Sequence, residues 1–256
     1  ARTATDQHLA GKTAFVTGSS RNLGAAIARA LAAHGARVVV TYHQSEQAAR
    51  SLVEELSPAS SGSHVVVPGD VSTPKGTEAL LERVLSEVDA VEVLVNNAGP
   101  FSMEPFAELD VGEWSRIWDA NVTATYLAAQ RLVPGMREAG WGRIVNVSAG
   151  SAYIRNHSIY TLAKAALITL TEELALELAP EITVNAVAPG QIAESAEDIA
   201  EFDPTFVERA IEWTPAGRLV RRDEVAEVVA MMCGPLFDSV TGVTIPIDGG
   251  WRLPRF

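Results

Sequence analysis

The sequence predicts a doubly wound α/β fold, one parallel sheet of about seven strands with helices on both faces, and three observations predict it. Short apolar runs rich in Val and Ile alternate with longer amphipathic segments from start to finish. The first of these runs passes directly into a glycine-bearing turn and then a helix. No internal repeat, low-complexity tract or convincing linker breaks the alternation, so residues 1–256 read as one domain. Strands covered on both faces by crossover helices are near-continuously apolar, which is the pattern seen.

Taken in order, Thr13–Thr17 is the first strand, followed by the turn Gly18-Ser19-Ser20-Arg21-Asn22-Leu23-Gly24. Leu23, Ile27, Ala30, Leu31 and His34 then recur at helical spacing until Gly35 ends the helix. Arg37–Thr41 is a second buried strand, Ser45–Leu56 a helix, 57–63 a soft Ser/Gly-rich loop, and His64–Val67 a third strand. Thr73 caps the next helix with Pro74 at its first position, a place where the missing proline N–H costs nothing. Val91–Val95 is strand four. Asp110 and Glu113 have capping-box spacing and open one long helix, Gly112–Arg137, through Trp114, Ile117, Trp118, Val122 and Thr125. Ile144–Val147 is strand five, Ser158–Leu178 a helix, and Ile182–Val187 strand six, ending at Ala188-Pro189-Gly190. A less periodic acidic segment, Gln191–Trp213, precedes a helix at Arg222–Met232, and Val243–Ile247 is the last strand.

Composition narrows the function. With 47% hydrophobic and 20% charged residues the chain can build a sizeable core. A net charge of −12 argues against nucleic acid or an anionic membrane as the main partner. There is no apolar run of about 18 residues and no secretion-signal pattern, so a cytoplasmic protein is expected. Cys233 is the lone cysteine and sits in an apolar helical run, where a buried structural thiol is the simplest account. His8, His34, His43, His64 and His157 show no ligand spacing with each other or with Cys233, and no metal site is expected.

A glycine-rich turn between strand and helix suits a dinucleotide diphosphate, because the backbone approaches closely and the helix N-terminus offers free N–H groups. Gly18 and Gly24 fit that use. The acidic residue that would hold a ribose 2′-hydroxyl is missing: strand two ends Thr41-Tyr42-His43-Gln44-Ser45, while Arg21 adds a cation to the loop. That pattern favours NADP(H) over NAD(H). Further on, Tyr160 and Lys164 lie four apart on one helix face, so hydroxyl and ammonium can converge. Bringing a phenol from about 10 to roughly 7 takes about 4 kcal/mol, part of which one lysine can supply. Taken alone, the pair also reads as an ordinary surface Tyr and Lys.

These motifs, in their order along about 11–250, resemble the short-chain dehydrogenase/reductase family: Thr17-Gly18-x-x-x-Asn22-Leu23-Gly24, Asp70-Val71, Asn96-Asn97-Ala98-Gly99, Asn121, the Ser148 region, Tyr160-x-x-x-Lys164 and Pro189-Gly190. The resemblance implies a Rossmann-type sheet and a cofactor-binding set of Gly18, Ser20, Arg21, Asn22, Leu23, Gly24, His43, Ser45, Asp70, Val71, Asn97, Ala98, Gly99, Tyr160, Lys164, Pro189, Gly190 and Ile192. Asp70 and Val71 would meet the adenine, Asn97 and Gly99 its ribose, and the backbone near Ile192 the nicotinamide carboxamide. Tyr160 would donate the proton in carbonyl reduction, Lys164 would lower its pKa, and Asn121 would anchor a relay water. Ser148 would orient the carbonyl.

Three departures bear on that pattern. Asn22 replaces a glycine, which asparagine tolerates, as in pteridine-reductase-like members, which also share the Tyr-His-x-Ser stretch. The serine rules, thirteen before the tyrosine and three after the strand-five Asn, point to Val147 and Ala149; Ser148 lies between them, with Ser151 as the alternative. Glu194 stands where a threonine is usual, with Ser195 adjacent to take over its contact.

In the family, 191–213 forms a substrate lid. Its acids are either a solvated face or a bias against anionic substrates, and Phe101, Met103, Phe106, Tyr153, Ile154, Phe202 and Trp213 are candidate pocket walls. The resemblance further implies a homotetramer, or a homodimer, built on the two long helices, with the aromatic, basic tail 251–256 either packed on a neighbour or frayed. The expected activity is NADPH-dependent reduction of a 3-oxoacyl- or polyketide-type carbonyl. A pterin-like C=N reductase and a non-catalytic NADP(H)-binding sensor are the alternatives.

Overall fold

The computed structural model describes residues 7–56, 62–154, 156–201 and 203–253, without the side chain of Asp198. Seven strands, β1 (Thr13–Val16), β2 (Arg37–Tyr42), β3 (Val65–Pro68), β4 (Val93–Asn96), β5 (Gly142–Val147), β6 (Ile182–Pro189) and β7 (Thr244–Ile247), form one sheet in the order β3-β2-β1-β4-β5-β6-β7. Every pairing is parallel. Strand order reverses between β1 and β4, and in such sheets a crevice opens there, outside the carboxyl ends.

Side-chain alternation along the strands divides the core between the two faces. Ala14, Val16, Val38 and Val40 pack into one cluster with Ile27 and Leu31 of α1 (Asn22–Ala33) and with Val225 and Val229 of the C-terminal helix Arg222–Met232. Phe15 and Val39 point the other way. They join Leu80 and Val84 of the helix Pro74–Glu87, together with Leu132, Met136 and Leu178. Each cluster removes a helix stripe and a sheet face from water together, which is why both periodicities are visible in one sequence.

The remaining helices are α2 (Glu46–Glu55), α3 (Pro74–Glu87), α4 (Val111–Trp118), α5 (Ala124–Glu138), α6 (Ile159–Leu178), α7 (Ala193–Ala200), α8 (Phe206–Glu212) and α9 (Arg222–Met232). Thr73 caps α3 as expected, its hydroxyl accepting from Gly76 N at 3.1 Å. Asp110 caps α4 through Gly112 N and Glu113 N, but Glu113 does not close the box because its carboxylate pairs with Arg116. The long helix expected over Gly112–Arg137 is interrupted: a π-turn at Asp119–Thr123 separates α4 from α5. Strand four starts at Val93 rather than Val91; Glu92 just before it still bonds Thr13 O and Arg143 N through its backbone, while its carboxylate takes the Thr13 N–H. Strand three starts at Val65, because the His64 ring accepts the Val38 N–H. Phe202, the tail 254–256 and most of the 57–63 loop lie outside the described residues.

Candidate active site

The turn after β1 is shaped by three hydroxyls. Ser19 Oγ donates to Val16 O and accepts from Thr41 N, both at 2.8 Å, and Thr41 Oγ1 accepts from Gly18 N at 3.0 Å. Thr17 Oγ1 receives the N–H groups of Asn97 and Ala98 at 2.9 Å, tying this turn to the end of β4. Gly18 and Asn22 adopt φ of +61° and +52°, so the Asn that replaces a glycine does take the left-handed conformation. A Cβ on Gly24 would overlap the Gly18 carbonyl oxygen and come within 2.7 Å of Asn97 Nδ2. No side chain caps α1 and its first turn holds no acid, so its leading N–H groups face outward unneutralised.

Above this turn runs a cleft of about 560 Å³. Gly18, Arg21, Asn22, Leu23 and Gly24 form its β1 side, His43 and Gln44 the end of β2, Asp70 and Val71 the end of β3, and Asn97, Ala98 and Gly99 the end of β4. Residues of four strand ends, scattered over eighty positions, thus meet in one crevice. Ser20 and Ser45 do not line it. Ser45 lies past Gln44 at the N-cap of α2, which its hydroxyl does not cap. Thr41 and Tyr42 of the strand-two end line the cleft as well, and Gly69, Ser72, Leu80, Pro100, Arg116 and Ala120 line it although no motif marked them. Thr41 and Pro100 adjoin marked residues; Leu80 and Arg116 come from helices and carried no signal of their own.

Asp70 is held by Ser72, accepting its N–H at 2.8 Å and its hydroxyl at 2.7 Å, with His43 Nε2 3.8 Å away. Burial acts to raise its pKa, but the Ser72 bonds and His43 together outweigh it and hold the carboxyl below its ordinary value. The first acid after β2, Glu46, is engaged by Arg50 at 2.8 Å, so the end of β2 presents His43 to the cleft, beside Arg21 of the turn after β1. Arg21 makes no ion pair among the described residues.

Further along the strand ends, α6 carries Tyr160 and Lys164. Ser158 caps this helix, its hydroxyl accepting from Thr161 N at 3.2 Å, which sets the phase that brings both side chains inward. Lys164 is 3% exposed and donates to Val147 O at 2.8 Å, with its Nζ 5.5 Å from the Tyr160 ring centre. Asn121, in the π-turn, donates to Ile117 O at 2.8 Å and Pro100 O at 3.1 Å, while its Oδ1 is buried without a partner. Gly99 makes this convergence possible: a Cβ there would overlap Asn121 Oδ1 and lie 3.2 Å from Lys164 Nζ.

The sequence led to the expectation that Lys164 lowers the Tyr160 pKa. In the protein by itself burial dominates both groups, pushing the phenol up to about 12 and the ammonium down to about 7. Removing water disfavours whichever form is charged, and the lysine, half neutralised by the same effect, offers the phenolate little charge.

Ser148 does not present its hydroxyl to the cleft. It is 2% exposed and donates to Lys164 O at 2.7 Å, while its N–H continues the β5–β6 ladder onto Val187 O. The strand register therefore makes it a staple between sheet and α6. The segment from Asn146 to Tyr160 is too short for both spacing rules by the two positions separating Val147 from Ala149, and the turn at Gly150–Tyr153 absorbs the difference. In that turn Ser151 Oγ is buried and unpartnered.

Pro189 closes β6, and Gly190 donates to Ile247 O at 2.9 Å where a Cβ would meet Asp248 at 2.7 Å. Ile192 forms a bridge with Val220 at the start of the acidic segment 191–213. Glu194 accepts the Arg222 N–H at 3.3 Å, at the start of α9, and Ser195 accepts from the Arg222 guanidinium at 3.3 Å. Both are thus engaged with α9. Asp203 is bound locally by Thr205 and Arg209. Phe101 stands edge-on to Tyr160 at 6.0 Å and 82°, and Phe101 and Met103 are 60% and 66% exposed. At the other end of the chain Trp251 packs on Gly150, and Arg252 lies 5.1 Å over the Tyr153 ring. Cys233 is buried, and burial pushes its thiol up to about 12, opposed by Arg143. Among the described residues no group of three or more His, Cys, Asp or Glu side chains is placed to hold a metal ion, and no helix is long and apolar enough to cross a membrane.

A parallel sheet with its strand-order reversal at β1/β4, a glycine turn running into an uncapped helix, and a half-buried Tyr160 with a buried Lys164 beside that crevice define a nicotinamide-dependent oxidoreductase class. The comparisons with known proteins agree. The family model described as enoyl-(acyl carrier protein) reductase matches residues 18–252. The 3-oxoacyl-acyl-carrier-protein reductase of Aquifex aeolicus is 34% identical, over 94% of this chain and 98% of its own length. D-beta-hydroxybutyrate dehydrogenase of Rhizobium meliloti is 29% identical, over 94% and 98%. The structure of L-sorbose reductase from Gluconobacter frateurii, complexed with NADPH and L-sorbose, superimposes with a TM-score of 0.87 at 31% identity, covering 98% of this chain and 100% of that one. The chain belongs to the short-chain dehydrogenase/reductase family, and its chemistry is NAD(P)-dependent interconversion of carbonyl and alcohol.

Proposed function

We propose that the protein is an NADPH-dependent carbonyl reductase with Tyr160 as proton donor. The observation that carries this is the convergence of Tyr160, Lys164 and Asn121 Oδ1 around Gly99, at the end of a cleft suited to a dinucleotide. The residues fit that group: the open N-terminus of α1 after the Gly18 turn and the orphaned Asn121 Oδ1 both match it. Bound nicotinamide supplies the hydride. The diphosphate would rest on Gly18 and the first turn of α1, and Arg21, with no acid at the end of β2 to hold a ribose 2′-hydroxyl, favours a 2′-phosphate.

Tyr160 starts the reduction protonated, since its pKa is pushed up to about 12 by burial. It gives that proton to the substrate oxygen as charge develops there. Lys164, brought close to 7 by burial, holds or releases a proton near neutrality, and sits between Val147 O and the tyrosine ring to return one. Asn121 Oδ1, buried and unpartnered, would anchor the water that relays that proton. Of the two serines, Ser151 retains an uncommitted hydroxyl, so carbonyl orientation passes to it from Ser148. Exposed Phe101, edge-on to Tyr160, and exposed Met103 two residues on favour a substrate with an apolar flank, as in a 3-oxoacyl chain. Exposed Val111, Tyr126, Leu162 and Leu176 on α4–α6 support a homo-oligomer, a tetramer or a dimer, with those helices at its interface.

NADPH and NADH oxidation, followed by absorbance with 3-oxoacyl thioesters, keto sugars and pterins, tests the reading. The expected result is turnover of a ketone with kcat/KM at least about tenfold higher for NADPH, lost by a factor of about 100 or more in Tyr160→Phe. Turnover confined to pterins moves the assignment to C=N reduction. Tight NADPH binding without turnover of any substrate replaces it with a sensor.

A further inference from the structure

Arg116 reaches the cofactor cleft from a helix that the nucleotide motifs do not mark. It lines the same crevice as Asp70, Val71 and Leu80, the end assigned above to adenine. Its guanidinium is not loose. Nε donates to Glu113 Oε2 at 2.7 Å and Nη2 to Glu113 Oε1 at 2.8 Å, a two-point fork that fixes the plane of the group as well as its position. Glu113 is itself set by the cap of α4, where Asp110 Oδ1 accepts the Glu113 N–H at 3.1 Å. The fork uses the edge of the guanidinium and leaves its faces bare, and the side chain stays 44% exposed. Half-buried Val71 lines the same crevice and offers it an apolar side chain, with Leu80 buried at its floor. A flat cation and an apolar side chain lining one crevice suit a flat heterocycle, because guanidinium stacks on aromatic faces while its edge stays hydrogen-bonded.

We propose that Arg116, held in plane by Glu113, is an adenine-stacking residue that clamps the cofactor's adenosine half against Val71. The proposal rests on the dinucleotide reading of this cleft. It assigns Arg116 a binding role that acts on the adenine ring, independent of the 2′-phosphate and remote from the hydride-transfer end.

Calorimetric titration tests it with four probes: NADP⁺, NAD⁺, adenosine 2′,5′-bisphosphate and nicotinamide mononucleotide. Arg116→Ala is expected to weaken the first three by a common factor of about three to thirty, the range of a cation–π contact, and to leave the mononucleotide unchanged. Arg116→Lys, which keeps the charge but not the planar fork, falls between. Glu113→Gln keeps Arg116 and one acceptor, and weakens the same three probes by a smaller common factor. It carries the test if a melting curve shows Arg116→Ala to be unfolded. Equal affinities in wild type and a folded Arg116→Ala overturn the proposal. So does a loss confined to NADP⁺ and the bisphosphate, which would place Arg116 on the 2′-phosphate instead. Failure of the wild type to bind any dinucleotide overturns the cofactor reading, a result distinct from either.

Discussion

Lys164→Met replaces a buried ammonium by an apolar chain of similar length, and the consequence is readable in the pH dependence of stability. In the folded protein burial lowers this lysine from 10.5 to about 7. In the unfolded chain it regains its ordinary value. The folded pKa lies below the unfolded one, so between about pH 7 and 10.5 the unfolded chain binds more protons, and stability rises with pH across that window. Below pH 7 both states carry the charge and the full cost of burying it remains. Allowing for half-protonation at pH 7, the gain from pH 7 to 9 is about 2 kcal/mol, or about 4–8 °C in Tm for a chain of this size.

Cys233 works in the opposite sense. Its folded pKa is raised to about 12, so its contribution is present at neutral pH and is lost as the unfolded thiol ionises near 9. Subtracting the variant from the wild type cancels that term, since both carry Cys233. Urea denaturation at pH 7, 8 and 9, followed by tryptophan fluorescence, is the assay. Wild-type stability should gain about 2 kcal/mol on Lys164→Met as pH rises through this range. A difference that stays flat, or moves the other way, refutes the argument that desolvation governs Lys164.

Two further variants probe the loop and the serines. Gly24→Ala places a Cβ against Gly18 O and 2.7 Å from Asn97 Nδ2, so it should cost about 1–3 kcal/mol of stability and weaken NADP⁺ at least about tenfold. Unchanged affinity by titration would remove α1 as the diphosphate seat. Ser148→Ala should cost about 1 kcal/mol in denaturant unfolding with kcat nearly intact, because only the staple to Lys164 O is lost. Ser151→Ala should leave stability alone and lower kcat by about tenfold or more, and the reverse pattern would return the orienting role to Ser148.

Much of the architecture follows from local chemistry along the chain. Alternation in Val38-Val39-Val40, Thr73-Pro74 at a helix start and glycines after a strand each express a short-range constraint, so the strands, most helix ends and the doubly wound class are legible without coordinates. The positions of Gly18, Asn97 and Asp70 in one crevice follow from that class, because parallel strands bring their carboxyl ends to one edge. What a linear pattern cannot carry is side-chain direction. Ser148 and Ser151 are the same residue three positions apart, and only the β5–β6 register turns one hydroxyl onto Lys164 O and leaves the other unpaired. The π-turn at Asn121, the burial that outweighs the Lys164 charge at Tyr160, and Arg116 reaching the cleft from α4 depend likewise on packing between segments distant in sequence. The sequence alone determined the sheet, the phosphate turn and the Tyr–Lys spacing, because each rests on the period of a single element. The tertiary structure alone decided which polar groups are already bonded and which remain free for a ligand, because hydrogen bonding and desolvation are set by neighbours in space.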